Sequence, residues 1–288
     1  TLHNTLFPYT TLFRSQICSG AEMEEGLCEL RLNGRIIKLG VFPISIDYRE
    51  FSGLAAAKDI SKRVGEIHEN FPDKKNIISV GRLDYTKGIP EGLRSFRKFL
   101  TLFPEVHRRV RFVQVVVPSR EDIPAYAALK EEIERLVGEI NGVFSQEDWM
   151  PVQYVYRQLD RRELVSFYRA CEVALVTPLK DGMNLIAKEY CASNIEENGV
   201  LILSEFAGAV NQLHEGALVV NPYDTKSVAN GLHQALFMDQ SEKRRRMRGL
   251  RRNVQEQDIF WWVNYSLQAA IEKDLSSFPR IQEYYPDE

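Results

Sequence analysis

Long apolar runs are missing from this sequence. No stretch of its 288 residues approaches the roughly 20 that a membrane helix needs, which excludes a helical span. Cysteine is scarce as well. Cys18, Cys28, Cys171 and Cys191 form no C-x-x-C pair and no zinc spacing, so a disulfide scaffold and a zinc module are excluded and a reduced, cytoplasmic protein is expected. The five histidines are scattered and read as structural or solvated, so no metal site is expected. Excess charge is also lacking: a net charge of -3 argues against a general nucleic-acid binder and against a membrane-surface binder. The glycines nowhere spell G-x-G-x-x-G, so the common dinucleotide fingerprint is absent. What remains is ordinary for a globular chain, 44% hydrophobic and 27% charged. The length suits two domains, or one large α/β domain with an extension.

The first residues stand apart. Residues 5–15 read T-L-F-P-Y-T-T-L-F-R-S, which resembles the in-frame translation of a DNA-sequencing adapter. Residues 1–15 are therefore expected to be a library artefact, with the natural gene beginning upstream and this chain a truncated piece.

Beyond the leader, residues 22–32 are moderately polar. Asn33-Gly34 is a turn signal before R-I-I-K-L-G-V-F-P-I, which reads as a strand. Short helices are expected near residues 48–57 and 59–70. A regular alternation follows, with strands at 76–80, 112–117, 152–156, 173–176, 200–203 and 217–220. Helices are expected at 91–102, 123–140, 161–170, after residue 184, and at 225–238. Leu93, Phe96, Phe99 and Leu100 carry the helical spacing in the first of these. Strands alternating with helices through short loops predict an α/β fold, a Rossmann-like parallel sheet with helices on both faces, over about residues 46–258. The basic run K-R-R-R-M-R-G-L-R-R from Lys243 reads as a solvated helix face. Residues 259–275 read as a closing helix carrying Phe260, Trp261 and Trp262, more aromatic surface than one core stripe accommodates.

Candidate chemistry collects at the carboxyl ends of the strands, where open α/β sheets bind ligands. Residues 177–190 read T-P-L-K-D-G-M-N-L-I-A-K-E-Y. A buried strand leads into a glycine loop bearing Asp181 and Gly182, and Glu189 lies four residues beyond Leu185 in the helix that follows. Free amides at such a helix start favour an anion; a capped helix with solvated charges is the competing reading. The loop G-R-L-D-Y-T-K-G after residue 80 places Arg82 and Lys87 five apart, two cations able to neutralise a diphosphate. Its K-G order is not that of a Walker A loop, and salt-bridged surface residues are the alternative. V-V-V-P-S-R-E-D sets Arg120 at the same edge, where its charge could equally be offset by Glu121 and Asp122. L-S-E-F-A-G-A ends a further strand, and Gly208 there serves either close backbone approach to a ligand or a tight strand-to-helix turn.

Taken in order, G-R-L-D-Y-T-K-G, P-S-R, L-V-T-P-L-K-D-G-M-N-L-I-A-K-E-Y, L-S-E-F-A-G-A and V-N-P-Y-D resemble the trehalose-6-phosphate synthases, retaining glycosyltransferases of the two-Rossmann-domain GT-B fold. The resemblance runs from about Arg35 to the closing helix. F-P-I-S-I-D is similar to the family's F-P-I-G-I-D, with Ser45 in place of a glycine. The resemblance implies residues 16–45 as a remnant of the first Rossmann domain, 46–258 as the nucleotide-sugar-binding domain, and 259–288 as a helix crossing back toward the first domain, plus a tail. It implies UDP-glucose as donor substrate, a sugar-phosphate acceptor, and no metal at the diphosphate. Arg82 and Lys87 would hold the diphosphate. Asp181 with the amides of Gly182, Met183 and Asn184 would hold the glucosyl hydroxyls and phosphate. Leu185 would line the donor site and Glu189 would accept from the ribose hydroxyls. Arg120 would reach the acceptor phosphate, and Arg82, Lys87 and Asp181 form the expected catalytic set. The missing N-terminal domain would be the main partner, a homo-oligomer is left open, and neither nucleic acid nor membrane is expected. A glucosylglycerol-phosphate synthase and a non-catalytic synthase-like regulatory module are the alternatives.

Overall fold

The computed structural model describes residues 42–72 and 74–272, with three short strand segments before them. Two compact units divide the chain. One spans Ile44–Phe260, and the other draws on the residues before Ile44 and on the segment from Trp261. The adapter-like leader lies outside the described residues, as do Cys18 and Cys28.

In the smaller unit, β1 (Glu22–Met23), β2 (Glu29–Leu32) and β3 (Arg35–Lys38) pair antiparallel, with Leu32 opposite Arg35. Asn33-Gly34, the turn signal between β2 and β3, lies outside the described residues. The sequence reading missed β1 and β2, because two- and four-residue polar strands carry too little alternation to register. Of the strand expected over residues 35–44, Arg35–Lys38 is a strand, residues 39–41 lie outside the described residues, and residues 42–47 are irregular around Pro43.

The larger unit holds a six-stranded parallel sheet in the order β6-β5-β4-β7-β8-β9. Its strands are β4 (Lys75–Arg82), β5 (Val110–Val117), β6 (Val152–Tyr156), β7 (Val173–Val176), β8 (Val200–Ser204) and β9 (Leu218–Val220). Successive side chains point to opposite faces, so each strand feeds two cores. Ile77, Val173, Leu175, Val200 and Ile202 face one side, where they meet α3 (Ile89–Leu102), α4 (Pro124–Phe144) and α8 (Thr225–Phe237). Ile78, Ala174, Val176, Leu201 and Leu203 face the other. There they meet α1 (Tyr48–Ala55), α2 (Lys58–Glu69), α5 (Arg161–Ala170), α6 (Leu185–Ser193) and α9 (Gln240–Glu256). The expected Rossmann-like class is the observed one. A short α7 (Val210–Leu213) precedes β9, and α10 (Ile259–Glu272) follows α9.

Two local readings change. The basic run is only partly a solvated face, because α9 buries Lys243, Met247, Leu250 and Val254. Arg251 there donates to the carbonyls of Cys191 and Ala192, at 3.1 and 2.7 Å, at the end of α6. Ser45, where the family motif has glycine, is buried and outside the left-handed region, so the turn makes no demand that only glycine meets.

Candidate active site

The chain runs outward from β4 to β5 and β6, then returns to the other side of β4 for β7. The β4–β7 gap is therefore the switch point of the sheet, the position at which open α/β sheets bind ligands. Both leading sequence loops arise there.

The loop after β4 is shaped by Asp84. Its carboxylate accepts from the Thr86 amide at 2.9 Å and the Thr86 hydroxyl at 2.7 Å, which caps the 3-10 turn Tyr85–Lys87. Burial opposes charge on Asp84. The Thr86 bonds with the Arg82 and Lys87 charges outweigh it, and the carboxyl stays below its usual range. Gly88 then turns at φ 65°, and a Cβ there would sit 2.3 Å from the Thr177 carbonyl oxygen. Only glycine lets the two loops approach so closely. Thr86 completes the seam by accepting the Leu179 amide at 2.8 Å.

The loop after β7 is held on its other side too. The Asp181 amide donates to Phe206 at 3.2 Å, and the Gly208 and Ala209 amides donate to the Asp181 and Met183 carbonyls at 2.8 and 2.7 Å. A Cβ on Gly208 would stand 2.1 Å from the Gly182 carbonyl oxygen, so this glycine lets its loop pack on the backbone of the Asp181 loop. Asn184 takes φ 75° and caps α6, accepting the Ala187 amide at 3.1 Å.

Lys87 Nζ lies 2.6 Å from Asp181 Oδ2, bridging the two loops, and Asn184 donates to the same oxygen at 3.2 Å. The Met183 amide reaches Asp181 Oδ1 only at 3.4 Å, and the Gly182 and Asn184 amides have no protein acceptor among the described residues. Arg82 stays 55% exposed and pairs loosely with Asp84 at 3.6 Å. Leu185 opens α6 half-buried against the apolar core.

Arg120 stands further along the edge, after β5, at φ 52°. It donates to the Tyr126 hydroxyl at 3.0 Å, and the Tyr126 ring meets Tyr85 edge-on at 6.4 Å. Arg120 thus reaches the Lys87 loop through two aromatic rings and pairs with none of the other candidates directly.

Glu189 accepts from Tyr168 of α5 at 3.0 Å. Burial raises its carboxyl above the usual range, while the Tyr168 bond and the Arg161 charge pull the other way. The neighbouring Lys188 is 1% exposed and donates to the Ile44 carbonyl at 3.0 Å. Sequence reading passed over Tyr168 and Lys188. Lys188 stands three residues before the buried Cys191, the spacing of one helical face.

Among the described residues no group of three or more His, Cys, Asp or Glu could hold a metal ion. A groove of about 580 Å³ runs along β9, lined by residues such as His214, Asp224, Asn230 and Arg246. It contains none of the candidate residues.

Fold and loops together define a doubly wound α/β domain with the candidate residues at the carboxyl edge of the sheet. The model of glycosyltransferase family 20 matches residues 11–272, and the chain belongs to that family. It is 40% identical over 269 residues to a trehalose-6-phosphate synthase of Mycobacterium avium, covering 91% of this chain and 54% of that protein. The UDP-forming α,α-trehalose-phosphate synthase of Burkholderia xenovorans, solved in complex with glucose-6-phosphate, aligns with a TM-score of 0.81 at 36% identity, over 86% of this chain and 55% of that one. The trehalose-6-phosphate structure from E. coli bound with UDP-2-fluoro glucose aligns with a TM-score of 0.81 at 35% identity, over 90% and 56%. The chain spans 31% of the length of one curated relative that it matches and 56% of another.

Proposed function

We propose that this chain is the donor-binding half of a retaining glucosyltransferase that moves glucose from UDP-glucose to glucose 6-phosphate. The meeting of Lys87 and Asp181 at the sheet's switch point carries the reading. A cation, a carboxylate and loop amides without a protein acceptor at the switch point of a parallel sheet support it, since such folds bind nucleotides there.

Lys87 as a point charge and Arg82 as a planar fork hold the diphosphate and stabilise the charge that grows on it as the glycosidic bond breaks. Asp181 gives up part of its pairing with Lys87 to accept from glucosyl hydroxyls, while the amides of Gly182, Met183 and Asn184 donate to hydroxyl and phosphate oxygens. Leu185 lines the donor site, and Glu189 accepts from the ribose hydroxyls. Arg120, aimed by Tyr126, reaches the acceptor phosphate. The leaving phosphate and the incoming hydroxyl share one face of the sugar, as retention without a protein nucleophile requires. The opposite wall belongs to a second domain, so the chain alone binds UDP and transfers no glucose.

Isothermal titration with UDP and UDP-glucose checks the site. Arg82→Ala and Lys87→Ala are each expected to weaken binding about tenfold or more, in keeping with the loss of a charge-assisted bond. Unchanged affinity in both variants, on folded protein, would remove the diphosphate assignment. Measurable glucose transfer by the chain alone would refute its dependence on a second domain.

A further inference from the structure

Tyr168 is completely buried on α5, and its hydroxyl must still find an acceptor there. The acceptor is Oε2 of Glu189 on α6, at 3.0 Å. The Tyr168 ring is held edge-on against Tyr190, with centroids 6.3 Å apart, and the Tyr190 hydroxyl donates to the Cys171 carbonyl at 3.1 Å. One phenol–carboxylate bond and one ring pair therefore lock α5 to α6. Tyr168 is the single hydrogen-bond donor to Glu189 among the described residues, which leaves Oε1 with its full accepting capacity. A glutamate side chain has three rotatable bonds, and ordering it on ligand binding costs conformational entropy. A carboxylate already tethered through one oxygen meets a ligand with most of that cost removed.

We propose that Tyr168 is a positioning residue for donor binding: its hydroxyl fixes one oxygen of Glu189 so that the other is presented to the ribose hydroxyls of the nucleotide. The proposal rests on the reading of Glu189 as the ribose acceptor. Arg161, on the same helix as Tyr168, favours the charged carboxylate that this role needs.

Titration of the chain with UDP and with 2′,3′-dideoxy-UDP tests it. Tyr168→Phe keeps the ring and removes only the donor. Affinity for UDP is expected to fall about 3- to 10-fold, the size of one ordinary hydrogen bond, because the lost bond acts on the nucleotide only through Glu189. Affinity for the dideoxy nucleotide should change by less than about twofold. In the Glu189→Gln background the same substitution should cost UDP nothing further, because the two act as a unit. Equal losses for both nucleotides, or full additivity in the double variant, would assign Tyr168 a packing role and overturn the proposal. A Glu189→Gln variant that binds UDP as well as the parent does would instead remove the ribose reading, and the proposal would fall with it. A second measurement needs no substitution at Tyr168. In the chain labelled with 3-fluorotyrosine, the ¹⁹F resonance of residue 168 should shift with UDP and stay in place with the dideoxy nucleotide. Identical shifts with both would overturn the proposal.

Discussion

Glu189 and Lys188 are neighbours on one helix, and burial moves their titrations in opposite directions. Glu189 has its carboxyl raised, so a proton favours the folded state. The stability it contributes is present below the ordinary carboxylate value of 4.5 and is lost as pH rises through the raised folded value. Ribose hydroxyls need the carboxylate, so UDP affinity should weaken as pH falls through that value. Because the nucleotide's own phosphate titrates in the same region, the comparison is between parent and Glu189→Gln; parallel pH profiles would contradict the assignment. Lys188 is pushed down by burial to about 8 from 10.5. Between those values the unfolded chain binds more protons, so this residue makes stability rise with pH. Buried Cys171 and Cys191 act in the opposite sense, since burial holds their thiols protonated in the folded chain. The difference between the parent and Lys188→Met isolates the lysine. Urea unfolding should show the parent gaining about 1–3 kcal/mol on the variant as pH rises through the window, at about 1.4 kcal/mol per pKa unit. A constant difference would mean that Lys188 is not desolvated.

At the scale of elements, the two loops of the crevice depend on glycines and on a cap. Gly208→Ala drives a methyl group into the Gly182 carbonyl oxygen, so the Asp181 loop must move. A loss of UDP binding larger than that of Lys87→Ala is expected, with a lower melting temperature. Asn184 discriminates more finely. Asn184→Ala removes the cap and leaves a Cβ in the left-handed region, at about 1–3 kcal/mol in total. Asn184→Gly keeps the conformation easy and should cost only about a few tenths of that for the cap. Equal destabilisation by the two would show that the backbone angle matters little. The strands of the large sheet were legible because each is a short, nearly continuous apolar run between turn residues. Residues 152–156, 161–170 and 173–176 have the bounds expected of them. The hairpin strands β1 and β2 were not legible, since their pairing is set across strands and leaves little trace along the chain.

For the whole molecule, the order of the strands matters more than their number. Sequence spacing placed Arg82, Lys87, Arg120 and Asp181 at one edge without saying which would touch. The return of β7 beside β4 brings Lys87 to Asp181, while Arg120, one strand further out, engages Tyr126 instead. At the chain's end, α10 exposes Phe260, Val263, Leu267 and Ile271 at three- and four-residue spacing, a stripe along one helical face. Exposed apolar stripes of this kind promote association. Replacing Phe260 and Leu267 with serine should lower self-association in sedimentation experiments while leaving UDP affinity unchanged. A monodisperse parent chain at the same concentration would count against a role for the stripe.

By itself the sequence determined the α/β alternation, the strand ends that carry chemistry, and the family. Those properties reside in local patterns: apolar runs, turn residues, and strings such as D-G-M-N-L that are long enough to be specific. Tertiary structure alone decided which charges pair and which are buried. Sequence reading singled out Glu189 and passed over Lys188, yet each is held by a residue more than 20 positions away, Lys188 at Ile44 and Glu189 at Tyr168. Burial and pairing depend on what packs across a helix, and no local pattern encodes the neighbour that folding brings there.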